Sequence, residues 1–295
     1  MLNLNKHHRV VIINGDDFGF SHGVNQAIIT AHQDGVLTST SLMVTGAAFS
    51  EAVDLAQQYP NLGVGLHLVL VCGRSTLPKE QIPHLVDENG NFSNDPTLAG
   101  LRYQFSRQAR IELKQEIRAQ LEKFRATGLP LSHVDGHLHL HVHPVVINIL
   151  ADLASEFGIK YIRLPSEELK LNLKFNRQNL LIKLVWSGVF GRLHNYGTSI
   201  LKSRNINFTE RVYGLLQTGS VSEEYLCSLI PHIQANQVEI YLHPAIEIAG
   251  ETLNGLPGAG EVEMKALLSE QVREALRVSG FELTNYYQLL QKFPS

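Results

Sequence analysis

Residues 9–44 read Arg9-Val-Val-Ile-Ile-Asn14, then Gly15-Asp-Asp-Phe-Gly-Phe-Ser-His-Gly23, then Val24 to His32, and finally Thr38-Ser-Thr-Ser-Leu-Met-Val44. The first block is short, continuous and β-branched, which suits a strand covered on both faces. A polar, glycine-containing turn follows. Val24 to His32 has the look of a helix, and Thr38 to Val44 of a second strand. Strand, turn, helix, strand with no break in composition is the pattern of parallel strands joined by crossover helices.

The alternation continues along the chain. Ala47 to Gln58 predicts a helix that stops before Pro60, and Leu62 to Val71 a third strand. Ser106 to Thr127 predicts an amphipathic helix, with Ile111, Leu113, Ile117, Leu121 and Phe124 apolar, ended by Gly128-Leu-Pro130. Ser132 to Asp135 is a fourth strand, Pro144 opens a helix continued by Val145 to Phe157, and Lys160 to Leu164 is a fifth strand. Val238 to Leu242 is a late strand, Met264 to Ser279 a helix, Phe281-Glu-Leu283 a short strand and Asn285 to Leu290 a terminal helix.

Two stretches interrupt this rhythm. Residues 72–100 carry Gly73, Pro78, Pro83, Gly90 and Pro96 and form a long excursion of the kind that is usually functional or mobile. Residues 166–235 read as helices and loops, with a short strand near Asn207-Phe208. The expected fold is α/β with mostly parallel strands, a TIM-like barrel or a doubly wound sheet. One domain is expected over 1–295, with the stretches at about 72–100 and 166–235 as elaborations.

Composition narrows the function. The 295 residues are 44% hydrophobic and 18% charged, within the range of globular chains. The net charge of −3 argues against a dedicated nucleic-acid binder. Two cysteines, Cys72 and Cys227, exclude a disulfide scaffold and a four-thiolate zinc site. Met1 to Arg9 is polar and basic, and the apolar run after it is too short for a signal-peptide core. No stretch reaches the roughly 20 apolar residues of a membrane span. A cytoplasmic location is the expectation. The apolar Leu180 to Leu193 reads first as an ordinary buried helix, and second as a landing surface for peripheral contact with a lipid-linked substrate.

Four polar sites fall where predicted strands end, the edge at which parallel α/β folds bind ligands. Asp16-Asp17 follows the first strand. One carboxylate suits a cation and the other a proton taken from water, although the same pair suits an ordinary turn. His67 sits in the otherwise apolar Gly65-Leu-His-Leu-Val-Leu70, where a lone histidine is more often a satisfied core residue than a ligand. The third site, Ser132-His-Val-Asp-Gly-His-Leu-His-Leu-His-Val-His-Pro144, supplies His133, His137, His139, His141 and His143 around Asp135. Alternation puts the odd-numbered residues on one side wherever the chain is extended. Five imidazoles exceed what one ion can take, so most serve as neighbours of ligands, substrate contacts or surface. His243-Pro244 follows the late strand and is a candidate general acid, because imidazole titrates near neutrality.

An acidic pair and three histidine sites converging on one barrel mouth make a metal-assisted hydrolase layout. HExxH, Walker GxxxxGK[ST] and GxGxxG patterns are absent from the sequence.

These blocks resemble the YdjC-like family of metal-dependent carbohydrate deacetylases. The matching stretches are Asn14-Gly-Asp-Asp-Phe-Gly19, Thr38 to Val44, Gly65 to Leu70, His133 to His141, Arg163-Leu-Pro165 and Leu242-His-Pro-Ala245. Gly65 through Pro78, Asn91 through Tyr103 and Arg125 to Leu131 further resemble the branch associated with hopanoid biosynthesis. The resemblance implies a distorted (β/α) barrel that hydrolyses an N-acetyl group from an amino sugar with one divalent cation. It implies Asp17, His67 and His137 as metal ligands, Asp16 as general base and His243 as the acid for the leaving amine. Arg163 resembles a positioning or substrate-orienting arginine. Gly15 stands where the family motif usually has Ala.

Asp135 would hold a histidine in one tautomer. His141 ranks above His139 as an alternative ligand, since a helical turn would set it on the face of His137. An Asp-His-His set suits Zn²⁺, Mn²⁺ or Co²⁺, and less naturally Mg²⁺. In the hopanoid branch the implied substrate is an N-acetylglucosaminyl hopanoid. Other readings are an amidohydrolase or phosphatase on a similar barrel, or a non-catalytic carbohydrate-binding protein. Enzymes of the histidinol-phosphatase type place H-x-H after the first strand, whereas here Asp-Asp stands there. Monomer and homodimer both remain open.

Overall fold

A computed structural model describes residues 9–292; the polar start 1–8 and the end 293–295 lie outside the described residues. The first strand, β1 (Arg9–Phe18), has Val10, Val11, Ile12 and Ile13 buried, as an apolar run flanked on both sides should. It extends past Asn14 because the polar residues continue the ladder. Gly15 still pairs with Thr40 of β2 (Ser39–Leu42), and the register then shifts before Phe18 pairs with Leu42.

All the strand ladders are parallel. The order is β4-β3-β2-β1-β6-β5, where β3 is Gly63–Leu68, β4 Val134–Gly136, β5 Arg211–Tyr213 and β6 Gln237–Leu242. β7 (Phe281–Thr284) pairs with the start of β1, from Arg9 to Ile12. β1 therefore serves three neighbours. The gap between β4 and β5 is spanned by single pairings, Val134 with Ile162, Tyr161 with Asn207 and Ser166 with Val212. The sheet is thus a distorted α/β barrel rather than a flat doubly wound one. The expected strand Lys160 to Leu164 survives only as those pairings, because Pro165 has no N–H to extend a ladder.

Crossover helices α1 (His22–Gln33), α2 (Phe49–Gln58), α4 (Arg107–Ala126) and α5 (Pro144–Phe157) lie close to their expected bounds. Most buried apolar side chains of these helices and the sheet belong to one connected core. The excursion 72–100 ends in a helix the sequence reading lacked, α3 (Pro96–Phe105), started by the Asp95 carboxylate and Pro96 at its first position. The rest of the excursion is tied to α4. Buried Glu116 accepts from the Thr76 and Leu77 amides at 2.7 and 2.9 Å, and Glu112 from the His84 amide at 2.8 Å.

After α6 (Leu169–Phe175) comes α7 (Leu180–Ser203), where the expectation of a buried helix fails. Among its residues only Lys183, Gly197 and Leu201 are buried. It lies against α5 and α6 by a narrow stripe and leaves its apolar first half outside. α8 is Glu223–Leu229. The helix expected over Met264–Ser279 is two, α9 (Ala259–Leu268) and α10 (Glu270–Val278), because the Ser269 side chain accepts from the Val272 amide and starts a new helix. α11 (Tyr286–Lys292) follows β7. No helix among the described residues is long and apolar enough to cross a membrane.

Candidate metal centre

Parallel strands bring their C-terminal ends to one edge, and the chemistry-bearing residues gather there. Asp16 and Asp17 stand near the end of β1, just before Phe18. Asp17 has φ +67°, a left-handed backbone that few non-glycine residues adopt and that is typically found where function holds it. His67 of β3 lies in register opposite Asp135 of β4. Beyond Gly136 the chain is not extended. His137–Val142 form a 3-10 turn in which Leu138 and His139 take left-handed angles, so simple alternation does not sort the histidines.

Three donor atoms converge. Asp17 Oδ1 lies 3.0 Å from His67 Nε2 and 3.0 Å from His137 Nδ1. Asn254 donates to Asp17 Oδ2 at 3.0 Å. A tetrahedral ion with bonds of about 2.0–2.1 Å needs its ligand atoms about 3.4 Å apart, so this trio fits a shared cation after a small spreading. His67 Nδ1 lies 2.8 Å from Asp135 Oδ1, the arrangement that leaves Nε2 free to ligate. Burial alone would raise the Asp17 pKa, but the His137 and His67 rings hold it well below the carboxylate range. Burial would lower that of His67, but Asp135 and Asp17 hold it well above the usual imidazole value.

Behind the trio is a fully buried hub, Arg163. It grips Asp16 with two N–H groups at 2.6 and 2.7 Å, reaches Asp135 Oδ2 at 2.9 Å, and donates from Nε to Glu239 at 2.8 Å. Burial opposes ionisation of Asp135, yet Arg163 and His67 hold its pKa well below the usual range. Ser41 donates to Asp135 at 2.6 Å, Asn14 to Asp16 at 2.8 Å, and Tyr286 to Glu239 at 2.5 Å.

His243 stands on the other side of Asp16, its Nε2 4.0 Å from Asp16 Oδ2 and its Nδ1 3.7 Å from Glu263. Burial pulls its pKa down, but Glu263, Asp16 and Asp17 outweigh that and set it at about 9. His139 and His141 lie outside the trio. His139 Nε2 is 2.8 Å from the Tyr241 hydroxyl, and His141 Nε2 is 3.0 Å from the Arg163 carbonyl. Burial keeps both neutral, His139 well below its usual pKa and His141 at about 4. His133 stacks on Tyr286 at 4.2 Å, and His143 caps α5 by accepting from the Val145 amide.

The sequence reading missed Glu239, Glu263, Asn254, Tyr241 and Tyr286 as site neighbours. A glutamate inside the apolar strand Val238 to Leu242 was the one local signal. A cleft of about 460 Å³ is lined by Phe20, Thr45, Val69, Arg74 and Glu251 among others, and the three donor residues are not part of its lining.

The strand ends of the parallel α/β barrel thus bring a carboxylate and two imidazoles together, a donor set of the kind used in metal sites, backed by a buried arginine–acid network. The chain belongs to the YdjC-like protein family, whose model matches residues 10–278. A carbohydrate deacetylase of Brevibacillus brevis is 43% identical over 157 residues, 52% of this chain; the chain spans 59% of that relative, under two thirds of its length. A carbohydrate deacetylase of Vibrio vulnificus is 33% identical over 281 residues, 95% of this chain and 96% of its own length. A solved structure from Enterococcus faecalis V583, provisionally assigned to cellobiose-phosphate cleavage, superposes with a TM-score of 0.72 at 25% identity, covering 96% of this chain and 99% of its own.

Proposed function

We propose that the chain is a metal-dependent carbohydrate deacetylase, a hydrolase that splits the amide C–N bond of an N-acetylated amino sugar. The observation that carries the reading is Asp17 Oδ1 set 3.0 Å from both His67 Nε2 and His137 Nδ1. These three residues would hold one divalent ion, Zn²⁺ or Mg²⁺, which when bound polarises the acetamide carbonyl and the attacking water. Asp135 orients His67. Asp16, kept in place by the Arg163 fork, takes a proton from the water. His243 gives a proton to the departing nitrogen, so water and amide become acetate and free amine. Arg163 positions rather than reacts. His139 and His141 pack as neutral neighbours. One domain over 1–295 is the matching organisation, supported by the shared core. For the acceptor we propose an amino sugar in a glycan or glycolipid, an N-acetylglucosaminyl hopanoid in the finer reading carried by the motif blocks.

Acetate release from N-acetylglucosamine oligomers tests this. Release is expected to fall at least about 100-fold with a chelator and to return with added divalent ion. Release indifferent to chelation would end the metal reading. No release beside phosphate-ester hydrolysis would favour the phosphatase alternative, and no turnover at all a binding protein.

The pH profile tests His243. Its pKa of about 9 keeps the ring protonated below that value, so kcat should fall as pH rises through 9. Glu263→Gln removes a neighbouring anion and should move that alkaline limb to lower pH. An unmoved limb would take His243 out of the acid role.

A further inference from the structure

We propose that the first half of α7 docks on an anionic lipid bilayer surface. Leu181, Val185 and Val189 are spaced four residues apart and share one face, with exposures of 78%, 62% and 48%. Leu180, Ile182, Leu184 and Trp186 are also exposed. Scattered exposed apolar residues are ordinary, but a continuous run on one helix marks an interaction surface.

Charge identifies the partner. From 169 to 209 the sequence has no Asp or Glu, yet it carries Lys170, Lys174, Arg177, Lys183, Arg192, Lys202 and Arg204, in a chain of net charge −3. All but Lys183 are exposed; Arg204 is paired with Asp152 at 2.7 Å, and the Lys183 ammonium is turned inward to donate to the Asn176 carbonyl at 2.9 Å. An apolar helix face with Trp among it and exposed cations around it is the composition of a helix lying in the headgroup region of an anionic membrane. α7 cannot span a bilayer. A second copy fits the face less well, since an isologous contact would set these cations against their own kind. Phe190, on the inner side of α7, meets the His139 ring edge-on at 5.6 Å, so the docked helix would adjoin the strand-end site.

The chain has one tryptophan, Trp186, and it sits on this face. Its emission should shift to the blue on adding vesicles of phosphatidylcholine with phosphatidylglycerol, and the protein should sediment with them. Phosphatidylcholine vesicles alone, or high salt, should weaken binding by about tenfold or more. Val185→Asp, at an exposed position, should fold normally and lose binding by about tenfold or more, as should the charge-reversed pair Lys174→Glu and Arg177→Glu. Absence of a shift and of sedimentation with anionic vesicles would overturn the proposal. So would Val185→Asp binding like the parent, or a concentration-dependent dimer that shields Trp186 without vesicle binding. Docking is read without turnover, so it and the deacetylase reading stand or fall separately.

Discussion

Asp17→Asn and His137→Ala should each lose divalent-ion uptake and turnover together. Asparagine keeps the shape of the aspartate and tolerates the left-handed backbone at φ +67°, so only the charge is lost at that position. His137→Ala removes the donor 3.0 Å from Asp17 Oδ1 and leaves a two-residue set that holds an ion poorly. Losing the ion forfeits several kcal/mol of transition-state stabilisation, about a thousandfold or more in kcat/KM. Metal analysis of the purified variants alongside steady-state kinetics checks both halves. Parent-like metal content and rate in either variant would show that the ligands lie elsewhere.

Arg163→Met should cost more stability than any other single change at the site. Asp16, Asp135 and Glu239 share that one guanidinium in a fully buried setting. Removing it strands buried carboxylates, a loss of about 3–5 kcal/mol, which lowers the thermal midpoint by roughly 10 °C. Arg163→Lys should fall between the two, because an ammonium replaces the charge without the fork. The deficit carries a pH signature. In the parent, Arg163 helps to hold the Asp135 pKa below its unfolded value, which contributes stability above about pH 4 that is lost only in stronger acid. Without the arginine the stranded carboxylates take up protons sooner, so the gap between variant and parent should narrow as pH falls. Thermal scans from pH 8 down to pH 4 measure it; an unchanged midpoint would mean the hub contributes nothing net.

Much of this arrangement was legible in the sequence. Apolar runs marked β1 and β6, helical spacing marked α4, and polar residues at strand ends marked Asp16-Asp17, His67, the histidine cluster and His243; the family resemblance narrowed these to Asp17, His67 and His137, which the fold brings together around Asp17 Oδ1. The unread parts have physical reasons. β5 is three residues long and carries no periodicity. The left-handed turn after Gly136 sends His139 toward Tyr241 and His141 toward the Arg163 carbonyl, which no strand or helix period encodes. Glu263 and Asn254 reach the site from segments that show no local sign of it. The apolar composition of α7 suggested burial, but composition cannot say which side of a helix the protein covers.

β1 pairs with three partner strands through Arg9–Gly15 and Phe18 and carries both carboxylates near its end, the second in a left-handed backbone. The strand with the most partners and the left-handed residue therefore meet at the candidate site. The irregular run 244–258 is tied to the same end, with Asn254 donating to Asp17 and Glu251 accepting from the His22 and Gly23 amides. A single carboxylate thus joins the central strand, two imidazoles and a distant loop.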